Sequence, residues 1–157
     1  MMIAHASLPA DDTKAVATVL ADIMQGEIVR FPPGGPNAYM AWSGDGQTEL
    51  EIVQRGAVIK YEEDQGNWTQ DGERHYGSEV HLAICVDRPE SEIIAIAKKA
   101  GWPARHCERG GGYFSLVEVW VEGVFMIEFL DPAQTRVYKE RVTLQNWKNK
   151  LAEIGAA

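Results

Sequence analysis

The sequence predicts an α+β fold built from two βαβββ modules and a C-terminal helical tail, on three observations. The first is a strand-helix-strand-strand-strand pattern over residues 2–60. The second is the same pattern again over 79–131, after a polar stretch at 61–78. The third is that the order His, Trp, Glu recurs at matching places in both, as His5, Trp42, Glu51 and His81, Trp120, Glu128.

In the first module, MIAHASL (2–8) alternates as a strand should, and Asp11 and Asp12 stand where they can cap a helix over 13–25. Val16, Val19, Leu20 and Ile23 recur at helical spacing along that helix, and Gly26 ends it. Three strands are expected at 27–31 (EIVRF), 38–43 (AYMAWS) and 48–54 (TELEIVQ), separated by the turn-forming PPGGPN and GDGQ. The second module opens on EVHLAICV (79–86), passes Asp87 and Pro89, and forms a helix over 90–100 with Ile93, Ile94, Ile96 and Ala97 on one stripe, ended by Gly101. Strands follow at 103–108, 113–122 and 124–130. The remainder, 132–157, reads as helix with a break at Thr143, and its Trp147 and Leu151 are four apart and suited to pack on the modules while Lys148 and Lys150 face water.

Repeated modules should align without free adjustment. His5 maps to His81 at an offset of 76, Glu51 to Glu128 at 77 within LEI and IEF, and Trp42 to Trp120 at 78. A drift of two residues is what turn-length differences produce. The pattern, carried by IAHASL, LEIVQ, VHLAICV and MIEFL over roughly residues 2–131, resembles the vicinal oxygen chelate superfamily of glyoxalase I, extradiol dioxygenases, fosfomycin resistance proteins and bleomycin-binding proteins. The resemblance implies a single glyoxalase-like domain whose paired modules curl a mixed sheet around a cleft. It also implies that His5, Glu51, His81 and Glu128 face a divalent metal there, and that the chain forms a homodimer.

Strand alternation bears on the same four residues, because side chains two apart share a face. His5 lies with Ile3 and Ser7, Glu51 with Glu49 and Val53, His81 with Ala83 and Cys85, and Glu128 with Met126 and Leu130. A carboxylate among such neighbours is costly unless something positive pairs with it, and VFMIEFL has no basic residue near Glu128 in sequence. A metal would meet that need. Two imidazoles and two carboxylates suit Zn²⁺, Ni²⁺, Co²⁺, Mn²⁺ or Fe²⁺ and do not choose among them. A six-coordinate ion would leave two positions for both oxygens of a small substrate, and a carboxylate able to leave the metal could act as base. By the resemblance, Glu51 or Glu128 is that base, with Glu128 preferred. Glu49 rivals Glu51 as a ligand because it lies on the same face; the module alignment favours Glu51.

The reading of function is therefore a metal-dependent lyase or isomerase for a small molecule with vicinal oxygens, through enediolate-type stabilisation. The alternatives are a metal-free binding protein of the bleomycin-resistance kind, a two-His-one-carboxylate dioxygenase using His5, His81 and Glu128, and a protein in which His and Glu merely hydrogen-bond each other. Glyoxalase I proper is disfavoured, since KAVATVLADIMQ lacks the aromatic pattern of its first helix and no Lys or Arg matches the groups that hold glutathione carboxylates.

Charge narrows the partners. The 157 residues carry 15 Lys and Arg against 23 Asp and Glu, a net −8, with no basic stripe, which disfavours nucleic acid and anionic membrane surfaces. No apolar run reaches membrane-spanning length and MMIAHASL does not read as a signal peptide, so a cytoplasmic protein is expected. Segment sums place −4 in 61–78 and +3 in 132–157. Cys85 and Cys107 lack metal or disulfide spacing and are expected to be unpaired. His106 and Cys107 are adjacent and so face opposite ways, His75 is expected to be solvated, and PPGGP and RGGGY read as turns rather than phosphate loops. Trp42, Trp120 and Glu118 are candidates to line the cleft.

Overall fold

The structure, a computed structural model, describes residues 5–60, 67–70, 72 and 81–153. His75 and residues 2–4, 79 and 80 lie outside these, as do the side chains of Trp147, Lys148, Lys150 and Leu151.

Module one runs β1 (His5–Ala10), α1 (Thr13–Ile23), β2 (Ile28–Arg30), β3 (Tyr39–Trp42) and β4 (Glu49–Gln54). A short hairpin, β5 (Val58–Lys60) with β6 (Asn67–Thr69), follows within and beside the stretch read as polar linker. Module two runs β7 (Leu82–Cys85), α2 (Glu90–Lys99), β8 (Ala104–Arg109), β9 (Phe114–Val121) and β10 (Phe125–Leu130). Two helices end the chain, α3 (Pro132–Arg141) and α4 (Leu144–Glu153). Their break falls at Thr143, whose Oγ1 accepts from the Asn146 N–H at 3.2 Å. Asp131 starts α3 through a reciprocal capping box with Gln134.

Each module forms one four-stranded mixed sheet, ordered β1-β4-β3-β2 and β7-β10-β9-β8, with the first pair parallel and the others antiparallel. The topology is therefore repeated strand for strand. Alternation on β4 sends Leu50 and Ile52 toward α1, where Val16, Ala17, Leu20 and Ile23 meet them. On β9 and β10, Val117, Val119, Ile127 and Phe129 join Ile93 and Ala97 of α2. These side chains form one continuous cluster through both modules, so the two sheets share a core.

Polar contacts also join the modules at both ends of α1. At its start, the Glu122 carboxylate accepts from the backbone N–H groups of Asp11 (2.8 Å) and Asp12 (2.9 Å), beside the Asp12 side chain that caps Ala15 N–H. At its end, Arg88 donates to the carbonyls of Asp22 and Ile23. A carboxylate at the helix start and a guanidinium at its end both complement the helix dipole. Gly26 lets the chain leave α1 close beneath β3, where a Cβ would meet the Trp42 carbonyl oxygen at 1.9 Å.

Candidate functional site

The faces of the two sheets opposite the helices carry the residues picked out by the repeat. On module one, β1 pairs with β4 so that His5 stands opposite Glu49 and Ser7 opposite Glu51. His5 Nδ1 lies 3.7 Å from Glu49 Oε1, and Ser7 Oγ donates to Glu51 Oε2 at 2.5 Å. Among the described residues, Glu49 Oε2 is buried with no hydrogen-bond partner. Among the described residues, one group of potential ligands brings its donor atoms within 4.8 Å of one another: His5, Glu49 and Glu51. Beside it the wall turns apolar, because Val53 follows Glu51 on the same face and Met40 is its partner on β3. Both pack with Phe31, Ala38, Ala57 and Trp68.

On module two, Ala83 stands opposite Glu128, and His81 precedes β7. His81 Nε2 lies 3.6 Å from Glu128 Oε2. The other Glu128 oxygen is engaged: Arg109 donates to Oε1 through Nη2 (2.8 Å) and Nε (3.2 Å). The same Nη2 donates to Glu118 Oε1 at 2.5 Å, and Arg105 donates to Glu118 Oε2 at 2.7 Å. The positive partner that Glu128 lacks nearby in sequence is thus supplied from β8, two strands away. Burial opposes ionisation of Glu118, yet hydrogen bonds from Arg109, Arg105 and Cys107 outweigh it and hold the carboxyl down to about 2; Glu118 in turn raises both arginines above their ordinary value.

Because Glu118 titrates lower folded than unfolded, the stability it lends is present above its ordinary value of 4.5 and is lost as the pH falls toward about 2. The shift corresponds to about 3 kcal/mol, of which screening through the partly exposed arginines leaves about 2 kcal/mol. Glu118→Gln is expected to be less stable than wild type at neutral pH, with the gap closing between pH 4.5 and about 2. Urea unfolding across that range measures it; a gap independent of pH would contradict the assignment.

The structure brings the four repeat residues together as two pairs, His5 with Glu51 and Glu49 in one module and His81 with Glu128 in the other. A hollow of about 260 Å³ between the sheets is lined by His5, Ala6, Thr48, Glu49 and Leu50 from module one and by Leu82–Cys85 from module two. It shares Thr48, Ile84 and Cys85 with a cleft of about 470 Å³ that reaches Asp45, Asp87 and Lys139. Cys85 is exposed on this groove, and both cysteines are free thiols. Glu118 stands opposite Glu128 on the same sheet face; Arg105 and Arg109 are not among the residues the repeat picks out, and their sequence signal is the alternation Arg105, Cys107, Arg109, which puts two cations on one face of a strand.

A divalent ion with bonds of about 2.1 Å holds its ligands within about 4.2 Å of one another, so the module-one group needs only a small contraction to close on one. The orphaned Glu49 oxygen and the nitrogen-oxygen donor set fit such an ion. In module two the guanidinium already neutralises Glu128.

No protein-family model and no curated protein sequence matches the chain. Among solved structures it is similar to lactoylglutathione lyase from Agrobacterium tumefaciens (15% identity, 84% of this chain and 94% of that one, TM-score 0.55). It is also similar to the fosfomycin resistance protein FosX from Mesorhizobium loti (14% identity, 86% and 95%, TM-score 0.54). A third is FosX from Listeria monocytogenes, in complex with Mn(II) and sulfate (11% identity, 88% and 96%, TM-score 0.55). The fold is that of the vicinal oxygen chelate proteins. The paired modules share the fold of the lactoylglutathione lyase structure. Among the described residues, no helix is long and apolar enough to cross a membrane.

Proposed function

We propose that the chain is a divalent-metal-dependent lyase or isomerase acting on a small molecule with vicinal oxygens, with the ion held in module one. The observation that carries this reading is the His5–Glu49–Glu51 group, whose Glu49 Oε2 is buried and, among the described residues, without a partner. Two carboxylates and one half-exposed imidazole on adjacent strands attract a cation, and the exposed side of His5 opens on the groove between the modules. Bound there, the ion would supply Lewis acidity to the two substrate oxygens. Ser7 orients Glu51 by its hydrogen bond. Arg109 fixes the Glu128 carboxylate with Oε2 toward His81 Nε2, and in this reading the pair would take and hold a proton from the substrate. Thr48 and the β7 edge close the groove around the substrate, and Met40 and Val53 keep water from the far side of Glu51.

Mn(II) in the Listeria neighbour supports a metal in this fold. The Arg109 pairing of Glu128 favours, as a second reading, a metal-free small-molecule binding protein. Metal analysis of protein purified from metal-replete medium, before and after chelation, separates them. About one ion per chain, removed by chelator, is expected; a content near zero would sink the metal-dependent reading in favour of the second. A cytoplasmic homodimer is part of the proposal, and light scattering on the purified protein tests its dimeric half.

A further inference from the structure

Backbone hydrogen bonds bring the helix-to-strand links of the two modules into correspondence. Gly26 N–H donates to the Ala21 carbonyl and Trp102 N–H to that of Ala97; Trp42 N–H donates to the Glu27 carbonyl and Trp120 N–H to that of Pro103. Strand register continues the match, since Val29 stands opposite Met40 as Arg105 stands opposite Glu118. Asp22, Gly26, Glu27 and Val29 of module one therefore correspond to Lys98, Trp102, Pro103 and Arg105 of module two.

The exchange reverses the charge and changes the shape. Two carboxylates and no cation in module one become two cations and no carboxylate in module two. Module one leaves no room for a side chain at Gly26, whereas its counterpart Trp102 brings an indole that is only 8% exposed. Beside that indole lies an open hollow of about 490 Å³, lined by Lys98, Trp102, Pro103, Arg105 and the half-buried Trp120. It shares no lining residue with the groove between the modules. Trp102 belongs to the main core, and packing accounts for its burial, but packing does not call for two cations around it.

Charge and shape together define what the hollow suits. Arg105 gives Nε and Nη2 to one oxygen of Glu118, yet 68% of its side chain stays exposed. Arg105 and Arg109 balance Glu118 and Glu128, so the surplus charge comes from Lys98, which is exposed in the last turn of α2 and, among the described residues, forms no ion pair. One unbalanced cation on a chain of net −8 favours a ligand with a single negative charge. Indole surfaces take a flat ring, and the volume matches a small-molecule site. A simple inorganic anion would leave the indoles unused, and a neutral ring would leave Lys98 unused.

We propose that this hollow is a separate small-molecule site for a flat ring bearing one carboxylate. The ring lies against Trp120 and the exposed edge of Trp102, and the carboxylate lies between Lys98 and Arg105. The site does not depend on the metal-dependent reading above.

The test is titration of the full-length protein with 2-naphthoate, followed by the assigned indole N–H signals in two-dimensional NMR. The Trp102 and Trp120 signals are expected to shift more than those of the other tryptophans. The neutral analogue 2-naphthamide should bind about tenfold more weakly, and raising the salt concentration should weaken 2-naphthoate but not the amide. Lys98→Glu changes an exposed side chain and is expected to weaken 2-naphthoate by about tenfold or more, with Lys98→Met between it and wild type. His5→Ala, in the groove between the modules, should leave the affinity within about twofold. Failure of both indole signals to move by about 10 mM 2-naphthoate overturns the proposal, since such binding would be too weak for a built site. Equal affinity for acid and amide, or an unchanged affinity in Lys98→Glu, overturns it as well. A loss of binding in His5→Ala with none in Lys98→Glu would place the ligand in the groove and refute this site.

Discussion

Glu122→Ala is expected to lose about 3 kcal/mol of stability, measured as a lower midpoint in urea unfolding, although Glu122 sits at a turn far from the candidate site. One carboxylate there serves three groups. It accepts from the Asp11 and Asp12 N–H groups at the start of α1 and pairs with Arg55 Nη2 at 2.7 Å. Arg55 is buried, with 2% of its side chain exposed, so weakening its partnership costs more than a surface pair would; Asp11, 3.2 Å from Arg55 Nε, retains part of it. Backbone strain does not confuse the comparison, since Glu122 has φ of 52° and alanine is no better suited to that region than glutamate. Glu122→Gln keeps a hydrogen-bonding side chain without the charge and is expected to lose about half as much. Because one core cluster runs through both modules, the variant should still unfold in a single transition. A change below about 0.5 kcal/mol would show that the contact is incidental.

That contact marks a boundary of what sequence can reveal. The two modules were legible because each strand keeps its period and each helix its stripe, and because His5, Trp42 and Glu51 repeat at nearly constant offset. Residues two apart share a face, so Glu49 and Glu51 were both within view, and the structure brings both beside His5. Arg109 was not legible as the partner of Glu128. It lies 19 residues away, at the end of a strand whose register against β9 cannot be read from composition, and the following glycines made its segment look like turn alone. Glu122 was hidden for a similar reason: a charged turn residue between two strands is ordinary, and only the packing of one module on the other sets it at the start of α1. The β5–β6 hairpin was hidden by the polar residues around Trp68, which packs with Val53 and Phe31.

Glu51→Gln and Glu49→Gln are both expected to weaken divalent metal binding by about a hundredfold or more, beyond the effect of disturbing an outer partner such as Ser7→Ala, at about tenfold. Their effects on the metal-free protein should differ. Glu51 Oε2 already accepts from Ser7, so losing its charge there changes little or costs slightly. Glu49 holds a buried oxygen without a partner and a second carboxylate close by, so neutralising it should stabilise the metal-free protein by about 1 kcal/mol. Thermal unfolding with and without Mn(II) reads both quantities: Glu49→Gln should raise the midpoint without metal and remove most of the rise that Mn(II) gives wild type. A ligand that destabilises its own empty site is what a cation-binding position requires, because the repulsion it stores is released when the ion arrives. If Glu49→Gln instead lowers the metal-free midpoint and leaves Mn(II) affinity intact, Glu49 is a partner of His5 across the strand pair, and the ion, where one binds, is held by other groups.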